Sequence, residues 1–273
     1  MKKFFEQSYK DKQDNLEQFG YARFDCLNSS DIAKLSSAYN NHTKASHQGF
    51  HPTMFHEDEQ YRRTLNETIT NILKPRLEGV ISDQYTILYG NYMVKEPGAS
   101  SAMKIHQDWT YVDEQKYRSY AIWIPLVDLT DKNGVFTVIP GSHQLTTNKR
   151  GPGVYCPFFE HTDFINDHLS VPIYLSAGEA VCWDHRLAHS SPANFSGQSR
   201  IAITVIMVPK NVEIYHYYKS DDASQLETYA ITADFFMGYK IGERPDLNPI
   251  KCEKYTHQAL TRNELQTIVN KGS

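Results

Sequence analysis

Residues Ser119–His143 read SYAIWIPLVDLTDKNGVFTVIPGSH. Ile122, Trp123, Ile124 and Leu126 form a short apolar run within Ser119–Val127, and Val135–Ile139 forms a second. Asn133-Gly134 between them has hairpin-type turn chemistry, since both residues tolerate positive φ. Pro140-Gly141-Ser142 then breaks the second run. Moving outward, Tyr85–Val94 alternates and is bounded by Pro97-Gly98, and Val171–Leu175, Glu179–Trp183 and Ile201–Val208 are further strands. Many short strands separated by Gly and Pro turns indicate a sandwich, a barrel or a jelly roll.

The flanks differ in texture. Phe4–Gln18 reads as a polar, weakly amphipathic helix ended by Gly20, followed by a short strand at Tyr21–Phe24. Asn28-Ser29-Ser30-Asp31 supplies N-cap candidates for a helix to about Asn40. Tyr61, Leu65, Ile69, Ile72 and Leu73 fall at helical spacing, with Pro75 expected to stop that helix. Helices before a β core suggest helical packing on one outer face. Gln144–Leu169, running through Lys149-Arg150-Gly151-Pro152-Gly153, has few strand signals; long connections of this kind are usually functional, and it reads as a lid or pocket wall, or else a surface insertion. Ile214–Tyr218 alternates polar and aromatic residues, and Thr261-x-x-Glu264 is a capping box opening a short helix. No composition break marks a boundary. The expectation is one domain over residues 1–273: a helical part to about 80, a β core over about 85–210, and a C-terminal extension over 211–273.

The chain has 273 residues with 40% hydrophobic and 22% charged content, an ordinary balance for a globular protein. A net charge of -4 does not favour nucleic acid or an anionic membrane as partner. The longest apolar stretch, Ile201–Val208, is interrupted by Thr204 and is too short to span a bilayer. No apolar segment follows Met1-Lys2-Lys3, which argues against a signal peptide. Cys26, Cys156, Cys182 and Cys252 form no C-x-x-C pair, so zinc ribbons and thioredoxin-like chemistry are disfavoured. Reduced cysteines and a cytoplasmic location are expected.

His106-Gln107-Asp108 with a later histidine is a candidate metal set. On a strand, positions i and i+2 share a face, so His106 and Asp108 can both look into a barrel mouth. The third ligand is His189 or its rival His185, four residues earlier and on the same face of a regular strand. Two imidazoles and a carboxylate with open positions are the facial triad of non-haem Fe(II) oxygenases, although zinc can use the same atoms. Arg200, eleven residues after His189, offers a guanidinium able to grip a carboxylate in bidentate fashion. His143 reads as a structural loop histidine, and His47, His51 and His56 as surface or substrate-side residues.

At these residues the chain resembles the phytanoyl-CoA dioxygenase family of Fe(II)/2-oxoglutarate-dependent oxygenases. The matching stretches are His106-Gln107-Asp108, Trp123-Ile124-Pro125-Leu126, Asn133 through His143, Ala177-Gly178-Glu179, and His189-Ser190-Ser191 through Asn194 to Arg200. The resemblance implies a mainly β protein with flanking helices around a double-stranded β-helix (jelly-roll, cupin-like) core. It implies His106, Asp108 and His189 as iron ligands and thereby prefers His189 to His185. It implies Arg200 on the distal carboxylate of 2-oxoglutarate, assisted by Ser191, with Trp123 and Asn91 at cosubstrate positions. The implied activity uses Fe(II), 2-oxoglutarate and O2, with ascorbate supportive, to hydroxylate an unactivated C–H bond. The carboxylate of Asp108 argues against halogenation, while desaturation or cyclisation stays open.

Near the ligands stand Tyr92, Lys95, Lys104, Trp109, Tyr111, Asp113, Arg118, Arg150 and Arg186. This mix of aromatic and charged types suggests a small polar or zwitterionic substrate, such as an amino-acid derivative or natural-product intermediate of secondary metabolism. Nothing resembles a CoA-binding patch. Two other classes remain: a non-catalytic metal-binding jelly-roll protein and a zinc-dependent hydrolase. Arg200 argues against the first, since a bare binder has no need of a carboxylate clamp.

Overall fold

The computed structural model describes residues 2–43, 48–220 and 224–269. His47 lies outside them. Helices α1 (Lys10–Phe19), α2 (Ser29–His42) and α3 (Glu59–Leu77) precede and cover the β core, with strands β1 (Tyr21–Asp25) and β2 (Phe50–Pro52) between them. The core strands are β3 (Tyr85–Lys95), β4 (Met103–His106), β5 (Tyr120–Pro125), β6 (Phe136–Val138), β7 (Val171–Ile173), β8 (Glu179–Asp184), β9 (His189–Ser191) and β10 (Arg200–Pro209). Helix α4 (Thr162–His168) lies between β6 and β7. The chain continues through β11 (Ile214–Lys219), β12 (Gln225–Ile231), α5 (Phe235–Gly238), β13 (Lys251–Lys254) and α6 (Arg262–Val269).

The major sheet has the order β1-β8-β5-β10-β3-β2 and the minor sheet β4-β9-β6-β7, with antiparallel pairing throughout. From β3 to β10 the chain passes between the two sheets at every step except β6 to β7, which are neighbours in the minor sheet, and this is the winding of a jelly roll. Of the three architectures the strand pattern allows, this is the one formed. Edge strands β1 and β2 extend the major sheet, and β11, β12 and β13 form a third sheet.

Tyr89, Trp123, Val181 and Ile206 of the major sheet meet Phe136, Val138 and Ile173 of the minor sheet in one apolar layer. The outer face of the major sheet, with Tyr92, Ile122, Ile203 and Val205, packs on Leu16, Leu35, Leu65 and Ile69 of the helices. Ile105 and Ile139 pack with Ile165 of α4 and Leu265 of α6.

Local signals explain the helices. Asn28 accepts from the Asp31 backbone N–H at 3.0 Å while Asp31 accepts from that of Asn28 at 3.2 Å, a reciprocal cap. Gly20 closes α1 in the left-handed region at φ 86°. Thr261 and Glu264 form the expected box before α6.

Three expectations need correction. The first helix starts at Lys10 rather than Phe4, because Phe4 and Phe5 are drawn into the core in extended form, their N–H groups held by Gln13 Oε1 at 2.9 and 3.1 Å. Pro75 does not stop α3; it falls in the last turn, and burial of Leu73 and Leu77 carries the helix to Leu77. Asn133-Gly134 is a turn, with Gly134 at φ 78°, but it joins β5 of the major sheet to β6 of the minor sheet rather than two paired strands. Asn133 stabilises that crossing, accepting from Thr130 N–H at 2.8 Å and donating to Asp128 O at 2.7 Å.

The contact between α3 and β3 fixes the outer, helix-covered face of the major sheet. The β3–β10 register shifts at Ile206/Met207, and nearby the Gly90 N–H donates to Asn66 Oδ1 of α3 at 2.8 Å. A side chain at Gly90 would meet Ile69 Cγ2 at 2.8 Å and Val205 Cγ1 at 3.1 Å. Gly90→Val should therefore overpack this layer and lower stability by about 1–3 kcal/mol, read from the denaturant midpoint. An unchanged midpoint would show that α3 does not seat on β3 this closely.

Candidate metal centre

Strands β4 and β9 pair so that His106 lies opposite His189, and their rings stand 4.2 Å apart between centroids. Each imidazole is oriented in the same way. His106 Nδ1–H donates to Lys104 O at 2.8 Å, and His189 Nδ1–H donates to Leu187 O at 3.0 Å. A carbonyl only accepts, so the proton sits on Nδ1 and each Nε2 lone pair is left for a metal. Burial pushes the His189 pKa down to about 4, reinforced by His106 and opposed by Asp108, which keeps its ring neutral at physiological pH.

Asp108 lies two residues past the end of β4, in a loop rather than on the strand. Its Oδ2 accepts the Trp183 indole N–H at 2.7 Å, and its Oδ1 stands 3.8 Å from His189 Nε2. Burial works against the charge of this carboxyl, but the surrounding imidazoles and the indole outweigh it and hold the pKa below the usual range. The backbone is anchored from behind: Arg150 Nε donates to Asp108 O at 2.6 Å, while its terminal nitrogens form a buried two-pronged pair with Glu114 at 2.5 and 3.0 Å. Ligand atoms from His106, Asp108 and His189 all lie within 4.8 Å of one another, and among the described residues they are the group able to share one metal ion. Two neutral nitrogens, one carboxylate oxygen and an open cavity beside them fit a catalytic Fe(II) site rather than a closed structural one.

His185 is not part of this group. The strand β8 ends at Asp184, and a turn closed by Leu187 N–H to Asp184 O at 2.8 Å redirects the chain. His185 instead meets Ser119 Oγ at 2.7 Å and the ring of Tyr111. His143 bonds Glu17 O at 3.2 Å and packs on Gly20, a structural role as expected. His51 pairs with Tyr39 Oη at 3.0 Å, and His56 Nδ1 accepts from Asp58 N–H at 3.1 Å.

Arg200 opens β10 and is 3% exposed. One terminal nitrogen donates to Gly134 O at 3.2 Å, its guanidinium carbon stands 5.0 Å from the Trp123 ring centroid, and its buried Nε has no partner. Burial pushes its pKa down to about 9, which still leaves it charged at neutral pH. Asn91 Oδ1 is buried without a partner as well, and Asn91 faces Thr204 across the β3–β10 ladder. Asn91, Trp123, Ser191 and Arg200 line the same cavity of about 240 Å³ as His106, Asp108 and His189.

The other pocket expectations divide. Trp109 and Tyr111 line the cavity; Tyr92, Lys95, Lys104, Asp113, Arg118, Arg150 and Arg186 do not. Lys95 is buried, donating to Ser101 O at 2.5 Å, Pro192 O at 2.7 Å and Ser191 O at 3.2 Å, and Arg186 pairs with Asp184 at 2.6 and 2.8 Å. Gln144–Leu169 contributes nothing to the lining and carries α4, so it is not the pocket wall; residues Phe50–Phe55 supply that wall instead. Sequence reasoning missed that wall and Trp183, whose pairing with Asp108 spans 75 residues and leaves no local signal.

The family model for phytanoyl-CoA dioxygenase (PhyH) matches residues 16–202. Among curated relatives, the phytanoyl-CoA dioxygenase domain-containing protein 1 of Danio rerio is 34% identical over 125 residues, 43% of each chain. The phytanoyl-CoA dioxygenase of Arabidopsis thaliana is 29% identical over 130 residues, 45% of this chain and 44% of that protein. The matches thus span under half the length of these relatives. The fold is similar to the non-heme alpha-ketoglutarate-dependent carbocyclase SnoK of nogalamycin biosynthesis (TM-score 0.59, 17% identity, 76% of this chain and 85% of that one). It is also similar to HygX from Streptomyces hygroscopicus, solved with nickel and 2-oxoglutarate (TM-score 0.55, 10% identity, 78% and 93%).

The indole of Trp183 occupies one carboxylate oxygen of Asp108 and leaves the other for a metal. Trp183→Phe keeps the ring in the core but removes the N–H. Metal affinity, measured by competition with a chelator, should fall about 10–100-fold while the thermal midpoint changes little. Unaltered affinity would mean that the indole does not orient Asp108.

Proposed function

The chain belongs to the phytanoyl-CoA dioxygenase family, and on that premise we propose that it is an Fe(II)- and 2-oxoglutarate-dependent dioxygenase that hydroxylates a small molecule. The reading takes residues 1–273 as one dioxygenase domain. His106, Asp108 and His189 hold the iron. Arg200 holds the distal carboxylate of 2-oxoglutarate, with Ser191, Trp123 and Asn91 lining its compartment. When bound, iron, 2-oxoglutarate and O2 supply the oxidising chemistry. The residues of the chain bind, orient and exclude.

The observation that carries this reading is the buried Arg200 with its unpaired Nε, in one cavity with the three ligands. A guanidinium taken out of water requires an anion, and a dicarboxylate reaching from the metal to Arg200 supplies one. Trp123 beneath the guanidinium limits its movement. The Nδ1–H bonds of His106 and His189 present Nε2 to the metal, and Trp183 keeps Asp108 to one oxygen. Tyr89 and Tyr111, bonded through their hydroxyls at 2.7 Å, and Phe136 keep water from the cavity floor. A plain metal binder or a zinc hydrolase would have no use for Arg200 in this state.

For the outcome, hydroxylation is the reading that the Asp108 carboxylate supports. The substrate read from the sequence is a natural-product intermediate or amino-acid derivative. The charged residues that suggest a polar substrate, Lys95, Lys104, Asp113, Arg118, Arg150 and Arg186, do not line the cavity.

Arg200→Met tests the cosubstrate assignment without relying on a known substrate. Replacing an incompletely paired buried charge by an apolar side chain should leave the ligand-free thermal midpoint unchanged or higher. The wild type should gain about 2–3 kcal/mol from 2-oxoglutarate at a hundredfold excess over its Kd in the presence of Fe(II), and the variant should lose that gain. Equal stabilisation of both proteins would remove Arg200 from the site.

A further inference from the structure

The cavity has two ends of different chemistry. Asn91, Trp123, Ser191, Arg200 and Thr204 at its floor are each less than a tenth exposed. At its mouth stand Phe50, Pro52, Phe55, Met93, Met103 and Ile241, none of them buried, with Phe55 57% exposed. The mouth is built by β2, which pairs along the edge of β3 and sets Pro52 opposite Met93. Tyr89, Asn91 and Met93 follow one another on the same face of β3, and Met93 is the one of the three that stands beside the edge strand β2. Apart from Asp108 and Arg200, no lining residue among those described carries a formal charge.

From this we infer that the mouth takes an uncharged molecule presenting an apolar, ring-sized face toward the metal centre. The inference rests on the dioxygenase reading, which commits Asp108 and Arg200 to iron and cosubstrate. A carboxylate, ammonium or phosphate entering here would leave water with no counter-charge to meet, and such burial is strongly unfavourable. An apolar face instead displaces water from Phe50, Phe55 and Met93, and the unbranched thioether chains of Met93 and Met103 adapt to its outline. This revises the zwitterionic substrate suggested by the sequence. Met93 is the specificity-determining position: it lines the cavity beside Pro52 of the edge strand, is half-buried, and is not among the residues assigned to the metal or the cosubstrate.

The test uses the protein loaded anaerobically with Fe(II) and saturating 2-oxoglutarate, titrated in a calorimeter with 2-naphthol and with 2-naphthoate. Wild type should bind 2-naphthol at least about tenfold more tightly than 2-naphthoate. Met93→Lys should shift that ratio by about tenfold toward 2-naphthoate, since it places a cation at the mouth. Comparable or tighter binding of 2-naphthoate to the wild type, no binding of either, or a ratio unmoved by Met93→Lys would overturn the inference. Loading with 2-oxoglutarate is itself recorded as heat. If that step fails, the dioxygenase reading falls, while the same pair titrated into metal-free protein still judges the mouth.

Discussion

A guanidinium buried to 3% exposure with its Nε unpaired is the constraint around which this cavity is organised. Desolvating such a charge costs several kcal/mol unless an anion meets it. Few native side chains remain in that state without a ligand to complete them. The surroundings of Arg200 do not remove the deficit: Gly134 O satisfies one terminal nitrogen, and Trp123 offers only its ring face. Asn91 Oδ1 adds a second unsatisfied group to the same cavity. The two groups differ in kind: Arg200 Nε–H is a donor that a carboxylate can meet, whereas Asn91 Oδ1 is an acceptor that needs a donor.

The jelly roll supplies the second half of the arrangement. Antiparallel pairing of β4 with β9 places His106 opposite His189, and backbone carbonyls two residues upstream set both tautomers. Asp108 has no strand to hold it. Its loop is fixed by Arg150 and Glu114 from behind and by Trp183 from the side, and these contacts substitute for a ladder. The buried Arg150–Glu114 pair is thus best understood as orientation of the Asp108 loop rather than net stabilisation, since paired buried charges contribute little stability over an apolar replacement.

The sequence was legible where the signal was local. The Asn28 cap, the Thr261–Glu264 box and the strands over Tyr85–Val94 and Ile201–Val208 depend on neighbours a few residues away, and each forms as expected. The strand pairing was not local: Asn133-Gly134 has hairpin chemistry, yet its flanking strands belong to different sheets. The residues alone could not separate His189 from His185, because a spacing of four keeps one strand face; the turn after Asp184 makes the difference. Proximity in sequence to the ligands also misled. Lys95 and Arg186 point into buried networks, while Phe50 and Pro52, far from any ligand in sequence, form the cavity mouth because β2 docks on the edge of β3.

The central claim is that one metal and one 2-oxoacid meet in this cavity, with Arg200 as the far anchor. Anaerobic titration of 2-oxoglutarate into the Fe(II)-loaded protein, followed by visible absorption, addresses it without a substrate. The account predicts a weak metal-to-ligand charge-transfer band that saturates at one equivalent per chain, is not produced by succinate, and is lost when His189 is replaced by alanine. Tight Fe(II) binding with no such band at any concentration of 2-oxoglutarate would contradict it.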